Sequence, residues 1–189
     1  MRVIAGAAGG IQLDVPKSGV RPTMDRVKGA IFSSLGNEII GARVLDLFAG
    51  TGSLGIEALS RGAAEAMFVE SNAGAVAAIE RNLARAKLEG RIRKQDVFAF
   101  LKIAQTAEPF RIIFADPPYE KMESGGEFTA RLLESAELAG MLESSGIFVL
   151  EKRPGEKMPA TALWEVHRAK KYGATEVLFL QRSGVPSPS

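Results

Sequence analysis

The strongest constraint on this chain is its rhythm. From Arg43 onward, short apolar runs alternate with amphipathic stretches of helical period. Arg43–Leu47, Ala66–Val69, Ile92–Gln95, Phe110–Ala115 and Gly146–Glu151 read as strands. Helices are predicted between them: one ending near Arg61 before Gly62, one capped by Ser71 or Asn72 and running to about Leu88, one capped by Asp96 and ending near Ile103, and one over Glu127–Leu138. Such alternation means an α/β chain with a doubly wound, mostly parallel sheet. Leu163–Lys171 and Glu176–Gln181, around Tyr172-Gly173, read as an antiparallel pair that closes it. Ahead of the sheet, residues 2–15 read as a hairpin with a Gly/Ala-rich turn, and residues 16–22 as a loop. Met24, Val27, Ile31 and Leu35 then recur at helical spacing, with Thr23 as N-cap and Gly36 as stop.

At 189 residues the chain suits one domain, expected over 1–182, with 1–41 as an N-terminal hairpin-and-helix extension and 183–189 as a disordered Ser/Pro-rich tail. It has no cysteine, which excludes disulfides and thiolate zinc sites, and one histidine, so no metal is expected. No apolar run is long enough to span a membrane, and a cytoplasmic monomer is the expectation. The net charge of +2 permits a nucleic-acid partner without demanding one.

Chemistry enters where the strands end. Phe110–Ala115 runs into Asp116-Pro117-Pro118-Tyr119. Two prolines cannot continue a sheet, so a carboxylate and an aromatic ring are set just beyond a strand's C-terminal end. In open α/β sheets that edge binds ligands. The tetrapeptide resembles the motif of amino-methyltransferases, which methylate the exocyclic nitrogen of a base. Such a nitrogen is a poor nucleophile because its lone pair is delocalised into the ring. The Asp116 carboxylate and the Pro117 carbonyl would accept its N–H groups and aim the lone pair, while Tyr119 would stack on the base. The same four residues also read as a simple turn.

Gly50-Thr51-Gly52-Ser53-Leu54-Gly55 fits a G-x-G-x-x-G turn opening a helix. A dinucleotide enzyme would hold a pyrophosphate there, but Asp46 at the strand end would repel one. Asp46-Leu47-Phe48-Ala49-Gly50-Thr51-Gly52 resembles the first motif of S-adenosylmethionine-dependent methyltransferases, in which the carboxylate faces the amino end of methionine. Glu70, followed by Ser71, is placed to accept both ribose hydroxyls or to cap the next helix. Asp96, with Val97 and Phe98 beside it, is placed to accept from the adenine amino group or to cap its own helix.

Taken together, the chain resembles guanine-N2 methyltransferases of small-subunit ribosomal RNA. The specific segment is Arg21-Pro22-Thr23-Met24-Asp25-Arg26-Val27, similar to that family's signature helix. Arg2-Val3-Ile4-Ala5-Gly6, with Leu13 to Pro16, is similar to its leading hairpin. The resemblance covers Arg2 to about Arg182. It implies a Rossmann-like class I methyltransferase fold with an antiparallel last strand, S-adenosylmethionine as cofactor, 16S rRNA in small-subunit particles as partner, and Thr23 and Arg26 beside the cofactor pocket. The family hairpin usually carries basic residues where this chain has the uncharged Gly9-Gly10-Ile11-Gln12. Arg21, Arg26 and Lys28, then Lys152, Arg153 and Lys157, then Arg168, Lys170 and Lys171 are the cations available to hold phosphates. Rival readings are an adenine-N6 or cytosine-N4 DNA methyltransferase, a non-catalytic RNA chaperone that keeps the cofactor pocket, and a nucleotide-dependent dehydrogenase, which Asp46 disfavours.

Overall fold

A computed structural model describes residues 1–15, 22–104, 108–118 and 127–184, with residues 22–24 as backbone only. Seven strands form one sheet: β1 (Arg43–Leu47), β2 (Glu65–Glu70), β3 (Arg91–Lys94), β4 (Phe110–Ala115), β5 (Leu142–Lys152), β6 (Trp164–Tyr172) and β7 (Thr175–Arg182). Their order is β3-β2-β1-β4-β5-β7-β6. The first five pair in parallel, and β7 pairs antiparallel with both β5 and β6. The strand order reverses between β1 and β4, the crevice where ligands bind in such sheets.

Helices cover both faces. α1 (Pro22–Leu35), α2 (Ser53–Ser60) and α3 (Ala73–Ala86) share a core with Val44, Phe114 and Val149. α4 (Val97–Ile103), α5 (Glu127–Glu134) and α6 (Ala136–Met141) share the other with Leu45, Ala115 and Leu150. Strand side chains alternate between faces. Asp46, two residues after Val44, therefore belongs to the α1–α3 face, as do Asp116, two after Phe114, and Glu151, two after Val149.

Several boundaries differ from the sequence reading. α1 starts at Pro22, whose missing N–H suits the first helical position, so Thr23 lies within the helix and is not its cap. Asn72, not Ser71, caps α3, accepting from the Ala75 N–H at 3.0 Å. The helix expected over 127–138 is two helices, because Ser135 accepts from the Leu138 N–H at 3.1 Å and restarts the chain as α6. β5 begins at Leu142, and its pairing with β4 slips between Phe110 and Ile112. Gly146 sits at that slip, where a Cβ would come within 2.9 Å of the Arg111 carbonyl oxygen.

The N-terminal hairpin is held by an Arg2–Gln12 bridge and by Val3 N–H donating to Ile11 O at 2.9 Å. Its turn docks on α2: Ala7 N–H reaches Ser60 O at 2.7 Å and Ala8 N–H reaches Ser60 Oγ at 2.9 Å. Ser183 closes onto the start of β6 through Leu163 O at 3.0 Å. The loop expected over 16–22 lies outside the described residues except for Pro22, as do Arg21, Tyr119 and the tail from residue 185.

Candidate active site

The turn after β1 is bent by backbone that few residues adopt. Gly50 and Gly52 have φ of +55° and +78°, and Phe48 has φ +55° without being glycine. A bulky residue there is strained, and such strain concentrates at functional sites. The Phe48 ring compensates by packing on Phe98 and Phe128 at 6.0 and 5.7 Å between centroids.

Glu70 holds the turn. One of its oxygens accepts the Gly50 N–H at 2.8 Å and the other the Asn72 N–H at 2.8 Å, so one carboxylate joins the glycine turn to the start of α3. Buried Asn82 of α3 adds a second tie, donating to Thr51 O at 3.0 Å and pairing with the Asp14 backbone. Asp46 lies beneath α2 and accepts the Gly55 N–H at 2.9 Å. Gly55 cannot carry a side chain, because a Cβ would stand 2.3 Å from the Phe68 ring. Burial pushes the Asp46 carboxyl up to about 8; the Gly55 N–H opposes the shift, while Asp116 and then Glu70 reinforce it.

Asp116 follows β4 at the mouth of a 190 Å³ cavity lined by Lys28, Ser53, Asp116, Glu151, Tyr172 and Thr175. Its surface is open to solvent, yet the cavity walls surround it. Lost hydration lifts its carboxyl to about 6. A carboxyl at the mouth of a cavity is both touched by water and stripped of part of its bulk solvent, so the exposure and the shift are consistent. Pro117 is buried behind it and Pro118 is exposed.

Other expected site residues are placed as follows. Asp96 caps α4, accepting from the Ala99 N–H at 2.9 Å. Val97 is buried in the α4–α6 core, and Ser71 is exposed just past β2. Arg26 is exposed on α1. Two of the cations expected at the surface are not there. Lys28 is 3% exposed, donating to Arg2 O at 2.6 Å and Ser53 Oγ at 3.1 Å, with Glu57 at 3.4 Å. Burial lowers its pKa against the pull of Glu57. Lys152 is also 3% exposed and pairs with Glu176 at 2.8 Å. Neither is free to meet a phosphate, because each already neutralises a carboxylate inside the protein.

The sequence reading missed Glu57, Asn82, Lys28 as a cavity residue, and Glu151. Glu57 carried a signal: it is the only charge in the apolar helix Ser53–Ser60. Glu151 carried none beyond its place at a strand end.

Comparison with known proteins places the fold. The family model described as conserved hypothetical protein 95 matches residues 1–181. Ribosomal RNA small subunit methyltransferase D of Escherichia coli K12 is 37% identical over 185 residues, covering 96% of this chain and 90% of that protein. A solved hypothetical protein of Thermus thermophilus is 31% identical with a TM-score of 0.79, covering 96% of this chain and 99% of its own. The T. thermophilus 16S rRNA N2 methyltransferase RsmC, solved with AdoMet and guanosine, shares the fold at 24% identity and a TM-score of 0.69, covering 88% of this chain and 44% of its own. Near full-length identity, the matched family model and the reversed strand order agree: this chain belongs to the ribosomal RNA small subunit methyltransferase D family and has the class I methyltransferase fold.

Proposed function

We propose that the chain methylates ribosomal RNA of the small subunit with S-adenosylmethionine as methyl donor, and that the atom methylated is the exocyclic N2 of a guanine. The observation that carries this is the cavity in which Asp116, at the end of β4, meets Ser53, the first residue of the helix opened by the glycine turn. An acceptor for a base amine thus stands beside a cofactor-type turn at the reversal of the strand order. RsmC, which shares the fold, is a 16S rRNA N2 methyltransferase solved with guanosine, and it supports the choice of atom.

The residues present suit this donor. Glu70 and Asp116 gather negative charge where a dinucleotide enzyme needs a place for pyrophosphate, and Asp46, protonated in the free protein, can give up its proton as an ammonium binds; an ammonium and a sulfonium are what such an edge attracts. Gly50 and Gly52 let backbone approach the donor, Asp46 would face its amino end, Glu70 its ribose, and Asp96 with Val97 its adenine. Phe48 and Ser71 border that path, and Thr23 and Arg26 are assigned to the same pocket through the signature helix. S-adenosylmethionine supplies a methyl group made electrophilic by its sulfonium.

The chain's own residues supply position. Asp116 accepts an N–H of the base amine, fixes its lone pair toward the donor and receives the proton released on transfer. The Pro117 carbonyl takes the second N–H, and Tyr119 stacks on the base. The base is first drawn out of its stack, because a stacked amine cannot be reached.

The test incubates the protein with labelled S-adenosylmethionine and small-subunit particles that lack the modification, then digests the RNA. Labelled N2-methylguanosine is expected. Label in N6-methyladenosine or N4-methylcytidine would overturn the choice of atom, and binding of the donor without transfer would favour the chaperone reading.

A further inference from the structure

We propose that Glu151 is the residue that recognises the base: its carboxylate accepts the N1–H of guanine while Asp116 accepts from N2. This rests on the guanine-N2 reading above.

The placement comes from register. β4 and β5 are parallel with Ala115 opposite Leu150, so Asp116 and Glu151 stand side by side one residue further on. Both line the same cavity. Glu151 pairs with Val177 of β7, so its carboxylate is presented from strand backbone.

Among the described residues the Glu151 carboxylate stands unpaired: no hydrogen bond or ion pair reaches it, and both Lys28, which lines the same cavity, and Lys152, next in the chain, are engaged elsewhere. Lys28 is held by Arg2 O, Ser53 and Glu57. Lys152 is held by Glu176 and by the carbonyls of Arg153 and Glu156 at 3.1 and 3.0 Å. Burial, then the charges of Asp116 and Asp46, raises the Glu151 carboxyl well above its ordinary range. A half-buried carboxylate without a partner opposes folding. Two residues earlier on the same face stands Val149, fully packed, so packing alone does not call for an acid here.

Guanine supplies what the pair lacks. Its Watson–Crick edge presents N–H donors at N1 and N2, one for each carboxylate. Adenine presents a lone pair at N1 and cytosine one at N3, and each would be set against the oxygens of the ionised Glu151. A site built to bind a substrate N–H rejects an analogue lacking it far more strongly than a shape filter does, because its buried polar group is left unpaired.

The test compares wild type, Glu151→Gln and Glu151→Asp on small-subunit particles, with the labelled guanine then replaced by 2-aminopurine. That base keeps the 2-amino group but carries a bare lone pair at N1. Glu151→Gln should bind S-adenosylmethionine as wild type does and lose about 10- to 100-fold in kcat/KM on guanine. Wild type should fall steeply on 2-aminopurine, whereas Glu151→Gln, whose amide can donate to N1, should fall much less. Glu151→Asp should keep part of the discrimination, and it carries the test if the glutamine variant does not fold. Full activity of Glu151→Gln on guanine, or equal losses on 2-aminopurine in wild type and variants, would overturn the proposal alone. Wild-type label on a base other than guanine would overturn the underlying activity and the proposal with it.

Discussion

Glu57 Oε2 accepts the backbone N–H of Ile4 at 2.7 Å across 53 residues of sequence. The other oxygen takes the Ala5 N–H at 3.1 Å and the Arg61 guanidinium at 2.7 Å, and Lys28 lies at 3.4 Å. One fully buried carboxylate therefore pins the hairpin to α2 and neutralises the lysine of α1. Removing one partner of a buried pair leaves the other charge uncompensated. Glu57→Gln should cost about 3–5 kcal/mol, an amount that lowers Tm by about 10 °C in a chain of this size. Calorimetry that finds a drop of a degree or two would mean that the Ser60 contacts hold the hairpin without it.

Gly6 makes the same docking specific to glycine. Its φ is +84°, and a Cβ would stand 1.8 Å from the Ser60 carbonyl oxygen. Gly10 has a similar φ of +88° but nothing within 4 Å. The backbone penalty of Gly→Ala, about 1–2 kcal/mol, is therefore common to both, and the clash is not. Gly6→Ala should lower the midpoint of denaturant unfolding clearly more than Gly10→Ala. Equal shifts would show that the turn can lift off α2 at no cost.

These contacts explain what the sequence could and could not reveal. β1, β2, β4 and β5 were legible because strands buried on both faces are apolar runs bounded by turn residues, and the doubly wound, mostly parallel sheet followed from the helices between them. The acids at the strand ends stood out against those runs, which is why Asp46, Glu70 and Asp116 could be singled out. The contacts behind them could not. Lys28 and Lys152 look like surface cations in sequence, because Glu57 and Glu176 lie 29 and 24 positions away and no local pattern joins them. Asn82 pairs with Asp14 across 68 positions. Glu151 gains its meaning only from the register that sets it beside Asp116.

Asp46 should report its burial through pH. Its carboxyl is raised from 3.8 to about 8 in the folded protein, so between those values the folded state holds a proton that the unfolded state has lost. Stability then falls as pH rises through that window. Asp46→Asn can still accept the Gly55 N–H but carries no charge. The Tm of the free variant should gain on wild type as pH goes from 5 to 8, while its affinity for S-adenosylmethionine drops by about 1.5–3 kcal/mol at neutral pH. A constant Tm difference across pH, or unchanged affinity by calorimetry, would return Asp46 to a purely structural role.

Asp116 should be read in the rate. As the acceptor of the amine it acts ionised, and its carboxyl titrates near 6 in the open cleft. kcat/KM on small-subunit particles should climb as pH rises through the region near 6, an ascending limb that Asp116 shares with the Glu151 carboxyl raised beside it. Asp116→Asn retains the shape and one acceptor oxygen but takes up no proton. It should bind S-adenosylmethionine nearly as wild type does, lose about 10²–10⁴-fold in methyl transfer, and show its remaining limb at lower pH, because Glu151 no longer feels the Asp116 charge. The measurement is a pH profile of single-turnover transfer for both proteins, with donor affinity alongside. A limb that stays in place in Asp116→Asn would assign the titration to another group, and a collapse of donor affinity with little loss of rate would move Asp116 from the base to the cofactor.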